Sequence, residues 1–375
     1  RLVNVDCGSY TKAGVDEVGR WVAERMRSLG ADVRIEPNAE LGDTVVGRWT
    51  GDRANGLRLL LIGHMDTVVP EGTAAERPFG IDADGIARGP GVTDMKAGLL
   101  AGLYAVDALR SVAGALPLAS LTFVANPDEE IGSPVSTPVI RSIAAGVDAC
   151  LVLECARANG DIVSSRKGIE DLAITVRGRA AHAGVEPEKG RSAILEAARI
   201  VRELHALNGR WAGVTVNVGV IAGGIRPNVV AETCRLEVDL RAIRGEDLDA
   251  AEATIREICA RTEVPDVSVS VEVVASHRPM EKLEASGRLV DLVVSLAGAL
   301  GFELRDAATG GASDANTTAG MGIPTIDGLG PIGGLDHSPD EYLEVSSIVP
   351  RTTLLAALIV AIARDLGDRE PATER

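Results

Sequence analysis

The 375-residue chain carries 54 acidic against 38 basic side chains, a formal net charge of −16, and is 46% hydrophobic. Its length exceeds one ordinary core and predicts two domains, while the acidic balance, with only three each of Trp, Tyr and Phe, excludes a phosphate-tracking or base-stacking surface and with it a nucleic-acid partner. No run of about 18 consecutive apolar residues occurs, so no membrane span or membrane partner is expected.

Val15, Val18, Val22, Met26 and Leu29 recur at helical spacing over residues 12–29, with Gly30 placed as the C-cap. Short apolar strands follow near residues 33–35, 44–49 and 57–63, the last running into His64 and Asp66. In an extended chain those two side chains share one side, as a metal ligand and its orienting carboxylate would. Next, a Gly-rich RGPGVTDMKAG places Asp94 just before a helix over 95–112. Strand 120–126 leads to Glu129 and Glu130, helix 135–146 follows, and strand 148–154 ends on Glu154. Continuous apolar strands between helices indicate an α/β layer structure with a mainly buried sheet.

From Gly168 the texture changes. A strand (169–178), a helix (191–207) with Ile194, Ala197, Val201 and Leu204 on one face, two strands (214–224 and 231–242), a helix (246–262) and a strand (267–274) form a β-α-β-β-α-β series, a ferredoxin-like α+β unit. The expected domains are therefore 1–167, an insertion at 168–278, and a return at 279–375 through helix 288–300, a Gly/Pro loop bearing His337 and a long last helix. Cys7, Cys150, Cys155, Cys234 and Cys259 are odd in number and lack CxxC spacing, which fits free thiols in a reducing, cytoplasmic setting. The chain starts at Arg1 without methionine, so a preceding segment is expected, and a removed export signal stays open as the alternative to the cytoplasmic setting.

His64, Asp94, Glu130, Glu154 and His337 fall at strand ends and loops where α/β sheets bind ligands. Each has an ordinary reading alone: a hydrogen-bonded histidine, a helix N-cap, a solvated acidic pair. Together they form a nitrogen and oxygen donor set suited to zinc and tolerant of Mn2+ or Co2+. Neighbouring side chains of the Glu129–Glu130 pair diverge in an extended backbone, which would give one metal ligand and one general base. Two histidines with three carboxylates over-supply a single metal, and an aspartate bridging two metals accounts for the count better.

The stretches GHMDTV, GPGVTDMKAG, PDEEIGS, LVLEC, GRAAHAGVEPEKG, NVGVIAGGIRPNVV, VDLRA, TGGASDAN and LDHSPDE, in this order over nearly the whole chain, resemble the dizinc amidohydrolase and exopeptidase family of aminoacylase, succinyl-diaminopimelate desuccinylase and bacterial glutamate carboxypeptidase. The resemblance implies a mixed-sheet zinc-exopeptidase domain with an inserted ferredoxin-like lid that also forms a homodimer. It implies that His64 and Glu154 hold one Zn2+, Glu130 and His337 the other, and that Asp94 bridges them. Asp66 would orient His64, Glu129 would be the general base, and His182 would donate to the oxyanion. Arg241 with Asn228 would bind a substrate carboxylate, and Gly310, Gly311 and Ser313 would line the cleft; an ordinary ion pair on the strand is the alternative for Arg241. The implied substrate is a small peptide or N-acyl amino acid, with carboxypeptidase action on a C-terminal glutamate weighed against deacylase or dipeptidase action, and against a non-catalytic metal-supported binding protein. The segment after Glu154 lacks the lysine of glutamate-specific relatives, with Arg166 or Lys167 as replacements.

Overall fold

Helix α1 (Lys12–Ser28) buries Val15, Val18, Val22, Ala23 and Met26, and the chain reverses after it at Gly30, whose φ of 77° lies in the left-handed region. The computed structural model describes residues 1–365, and it divides into two compact units. The first takes residues 1–164, 282–309 and 313–365; the second takes Ser165–Glu281 with Gly310–Ala312.

In the first unit, β1 (Asp32–Glu36), β2 (Thr44–Thr50), β3 (Arg58–His64), β4 (Ser120–Asn126) and β5 (Ala149–Val152) join a short strand, Thr325–Ile326, in one mixed six-stranded sheet. Its order runs β1-β2-β4-β3-β5 and then Thr325–Ile326, with β3 parallel to both β4 and β5 and the β1–β2 and β2–β4 pairs antiparallel. Registers of His64 with Asn126 and of Ile62 with Val152 bring three C-terminal strand ends side by side. Every residue of β4 and β5 is buried, because helices cover the sheet. Helix α2 (Ala97–Ala113) lies very close to the sheet: a Cβ on Gly98 would fall 1.9 Å from the Leu153 carbonyl oxygen, so only glycine allows this approach next to Glu154.

The last helix, Val345–Asp365, is apolar and long enough to cross a membrane by composition. Its Leu354, Leu355, Leu358, Ile359 and Ile362 are instead buried in the core with Leu99, Leu103 and Val106 of α2 and Val290 and Val293 of helix Glu284–Ala299. Arg351 in the same helix is also buried, its guanidinium donating to the carbonyls of Gly160, Gly328 and Gly330.

In the second unit, strands β6 (Gly168–Arg177), β7 (Thr215–Gly223), β8 (Thr233–Ala242) and β9 (Ser268–His277) form an antiparallel sheet ordered β7-β8-β6-β9, with helices α3 (Ala193–His205) and α4 (Gly245–Ala260) between them in sequence. That is the split β-α-β arrangement of a ferredoxin-like fold. Cys234, Leu236, Val238 and Leu240 alternate inward as the sequence pattern predicts. The buried face of α3 differs from the expected one. Ala193, Glu196, Ala197, Ile200 and Leu204 face inward, while Ile194 is 42% exposed. Glu196 can be buried because its carboxylate pairs with Arg199 and accepts the backbone N–H groups of Glu263 and Val264. A pattern of apolar residues alone skips that position.

Candidate metal centre

His64 closes β3 at 1% exposure. Its Nδ1 lies 3.0 Å from the Asp66 carbonyl and 3.3 Å from Asp66 Oδ1, while Nε2 faces Asp94 Oδ1 at 3.0 Å, Glu154 Oε1 at 3.6 Å and Glu129 Oε2 at 4.0 Å. An Nδ1–H donating to Asp66 leaves the Nε2 lone pair aimed at the carboxylates. The buried Asp66 carboxylate also accepts Ser9 Oγ at 2.7 Å and the N–H groups of Glu129 and Glu130 at 3.1 and 3.2 Å. One carboxylate thus joins the end of β3 to the loop after β4.

Asp94 lies in the turn Val92–Lys96 that opens α2. Its two oxygens diverge, Oδ1 to His64 and Oδ2 to His337 Nε2 at 3.3 Å, and His337 Nε2 is 3.0 Å from Glu130 Oε2. His337 takes a left-handed φ of 61° in a loop where Ser338 donates both its N–H and its hydroxyl to the Leu335 carbonyl. Local strain of this kind collects at functional sites. Residues Glu129–Ile131 form a 3₁₀ turn, not the extended backbone expected from sequence. The turn forms because Asp66 receives both glutamate N–H groups and Gly132 closes it with a left-handed φ of 84°. The separation of Glu129 from Glu130 therefore comes from the turn and not from strand alternation.

Ligand atoms of His64, Glu129 and Glu154, and of His64, Asp94 and Glu130, lie within 4.8 Å of one another. The four carboxylates of Asp94, Glu129, Glu130 and Glu154 outnumber the two imidazoles even if both are protonated. Lys96, buried in the same turn, directs its ammonium to the carbonyls of Val5 and Pro90 instead. Burial, and then the Glu154 and Asp314 charges, raise the Glu129 carboxyl well above its usual range against the opposing pull of His64. For His64, burial disfavours the imidazolium, but Glu154, Asp66 and Asp94 outweigh it and raise the pKa. An all-nitrogen-and-oxygen pocket with surplus buried negative charge is chemically fitted to divalent cations.

Two further buried carboxylates stand near the cluster, one at the end of LDHSPDE and one within TGGASDAN. Glu341 is buried and accepts backbone N–H groups from the Asp94 turn. Asp314, also buried, accepts Asn126 Nδ2 at 2.8 Å and Ser133 Oγ at 2.6 Å, and burial pushes its carboxyl to about 6. All five cysteines are free and buried. Cys155 Sγ stands 3.9 Å from Asp336 Oδ1, and burial with that neighbouring charge raises its thiol.

The second unit holds His182, Asn228, Arg241, Gly310 and Gly311. Exposed His182 accepts the Gly184 N–H at Nδ1, which fixes the proton on Nε2 when the ring is neutral. The backbone carbonyl of Asn228 accepts the Ala183 N–H. Arg241 forks onto Asp239 of its own strand at 3.0 Å and donates to the Gly310 carbonyl at 3.0 Å, while Arg166 donates to the Gly311 carbonyl at 3.0 Å. Ser313 belongs to the first unit, where it is buried and caps helix Asp314–Gly320, its hydroxyl accepting the Ala315 N–H and donating to Asp327. Its hydroxyl is therefore engaged in the helix start and not open for a cleft contact.

The family model described as peptidase family M20/M25/M40 matches residues 60–361. Carboxypeptidase G2 of Pseudomonas sp. (strain RS-16) is 32% identical over 375 residues, covering 98% of this chain and 88% of that protein. Acetylornithine deacetylase of Proteus mirabilis (strain HI4320) is 26% identical over 355 residues, covering 90% and 88%. Among solved structures, aminopeptidase PepT of Bacillus cereus ATCC 10987 superposes with a TM-score of 0.80 at 25% identity, over 97% of this chain and 96% of that one.

Proposed function

The chain belongs to peptidase family M20/M25/M40, and from that premise we propose that this hydrolase is zinc-dependent and cleaves an amide next to a free carboxylate, releasing a C-terminal glutamate or similar amino acid from peptidyl or N-acyl substrates. The observation that carries the reading is the division of Asp94 between His64 and His337, with Glu154 near the first and Glu130 against the second. His64 and Glu154 would hold one ion, Glu130 and His337 the other, and Asp94 both. When bound, the two ions polarise the scissile carbonyl and lower the pKa of the attacking water.

Glu129 would take a proton from the attacking water and pass it to the leaving amine nitrogen, a role open to a carboxylate that stands 4.0 Å from His64 Nε2. Asp66 keeps the His64 ring oriented, and Nε2–H of His182 donates to the carbonyl oxygen as it gains charge. Arg241, its guanidinium plane set by Asp239, pairs with the substrate carboxylate alongside Asn228. The 168–278 segment serves as lid and homodimer surface in the same reading.

A second reading, acyl-amino-acid deacylase or dipeptidase, is favoured by the Arg166 contact to the Gly311 carbonyl, which occupies one of the groups that would replace the missing lysine. Amino-acid release from aminobenzoyl-glutamate, N-acetyl amino acids and dipeptides, with zinc-loaded and chelated enzyme, tests both. Zinc-dependent release of glutamate above all others supports the first; an even profile without glutamate preference overturns it in favour of the second. Binding without turnover would remove both.

A further inference from the structure

Glu341 opens the short strand pair in which Tyr342–Glu344 runs antiparallel to Ile86–Arg88, four positions after His337 in the chain. Its side chain is buried, at 5% exposure. Oε2 accepts the Gly91 N–H at 2.9 Å, and Oε1 accepts the N–H groups of Thr93 at 2.8 Å and Asp94 at 3.1 Å. Gly91, at a φ of 67°, turns the backbone so that these donors converge, as in the anion nests that successive N–H groups form. The carboxylate and the nest come from positions some 250 apart in sequence.

We infer that Glu341 is a positioning residue for the dinuclear centre: it locks the backbone of Asp94 to the segment that carries His337 and so sets how the two oxygens of Asp94 are shared. The inference rests on the metal-site reading above. The Glu341 oxygens meet backbone N–H groups and not the side-chain ligand atoms. It acts through the N–H of Asp94 itself, so its loss shifts the bridging carboxylate without removing any ligand.

Glu341→Gln keeps the shape but sets an amide against three N–H donors that a carboxylate oxygen pair satisfies. Zinc is titrated into chelator-stripped full-length protein against a chromogenic chelator, with the melting temperature of the stripped protein measured in parallel. The expected result is two zinc ions in the wild type and, in Glu341→Gln, about a 10- to 100-fold weakening of at least one of them, with the stripped protein still melting cooperatively. Arg88→Ala, which removes a contact from Arg88 Nη1 to the Asp340 carbonyl in the same strand pair but leaves the nest intact, is expected to keep wild-type zinc affinity. Wild-type affinity at both sites in Glu341→Gln, or equal loss in Arg88→Ala, would overturn the positioning role and leave the metal-site reading standing. Failure of the wild type to bind two zinc ions would sink both. Should Glu341→Gln not fold, Glu341→Asp, one methylene shorter with the charge kept, decides by the same titration.

Discussion

The Asp66 carboxylate stands 3.3 Å from Nδ1 of His64 while receiving the N–H groups of Glu129 and Glu130 from the neighbouring loop. It therefore fixes the azimuth of an imidazole and the position of a glutamate pair with the same two oxygens. Asp66→Ala is expected to weaken zinc binding by about 10- to 100-fold and to lower turnover of the zinc-saturated enzyme as well, because the Glu129 turn loosens. A chelator-competition titration beside saturated-zinc kinetics reads both effects, and unchanged turnover at saturating zinc would separate the turn from Asp66.

Glu129 lies farther from His64 than Asp94 or Glu154 does, at 4.0 Å. Glu129→Gln is expected to retain two zinc ions and lose about 10²- to 10⁴-fold in turnover, the range of general acid–base catalysis. Metal analysis of the purified variant, paired with single-turnover rates, checks it. Near-normal turnover would place the proton transfer elsewhere.

Zinc uptake should release protons. Without a cation, the Asp94 and Glu130 carboxylates push the His337 imidazolium up to about 11, and His64 is raised too. The His337 ring is then protonated at neutral pH and must give up a proton to become a ligand, and the shift of His64 runs in the same direction. At least one proton per loaded chain is expected, and apparent zinc affinity rises with pH. Calorimetric titration in buffers of different ionisation heat gives the count, and a count near zero would show that the rings are neutral before zinc arrives.

Glu170 in β6 faces the core of the second unit at 5% exposure. Burial, then the neighbouring Glu252 charge, raises its carboxyl to about 7, only partly offset by Arg256. A folded pKa above the unfolded value of about 4.3 means that the folded state holds the proton more tightly, so stability falls as pH rises from about 4.3 to 7. Glu170→Gln is expected to melt like the wild type near pH 4 and to be more stable by on the order of 1 to 3 kcal/mol near pH 8. Thermal melts at the two pH values test the sign; a variant less stable at both would point to a hydrogen bond that the glutamate supplies.

The elements that repeat on a short period are legible in the chain. Val15, Val18, Val22 and Met26 announce α1, and Cys234, Leu236, Val238 and Leu240 announce β8, because burial on one face imposes the period directly. The candidate ligands are legible for a different reason: carboxylates and histidines stand at the ends of apolar strands, where a purely structural residue would be apolar or a turn former. Interactions that span the sequence are not legible. Nothing near Glu341 indicates that its partners are Gly91, Thr93 and Asp94, and nothing near Glu129 indicates that Asp66 will curl its backbone into a 3₁₀ turn. Glu196 reads as a surface residue until its donors, the N–H groups of Glu263 and Val264, are known. In each case a polar group takes a buried position because donors from a distant segment meet it, a balance that local composition does not encode.

The discontinuity of the first unit sets an order on synthesis. The second unit is nearly contiguous, Ser165–Glu281, whereas the first needs its final segment for both His337 and the helix Val345–Asp365 that covers α2. Domains fold as units, and long-range contacts form last as the chain leaves the ribosome. A nascent chain that has not reached residue 345 therefore carries a complete second unit together with a sheet domain whose α2 still lacks its covering helix, and His337 joins the other candidate ligands only shortly before that helix is made.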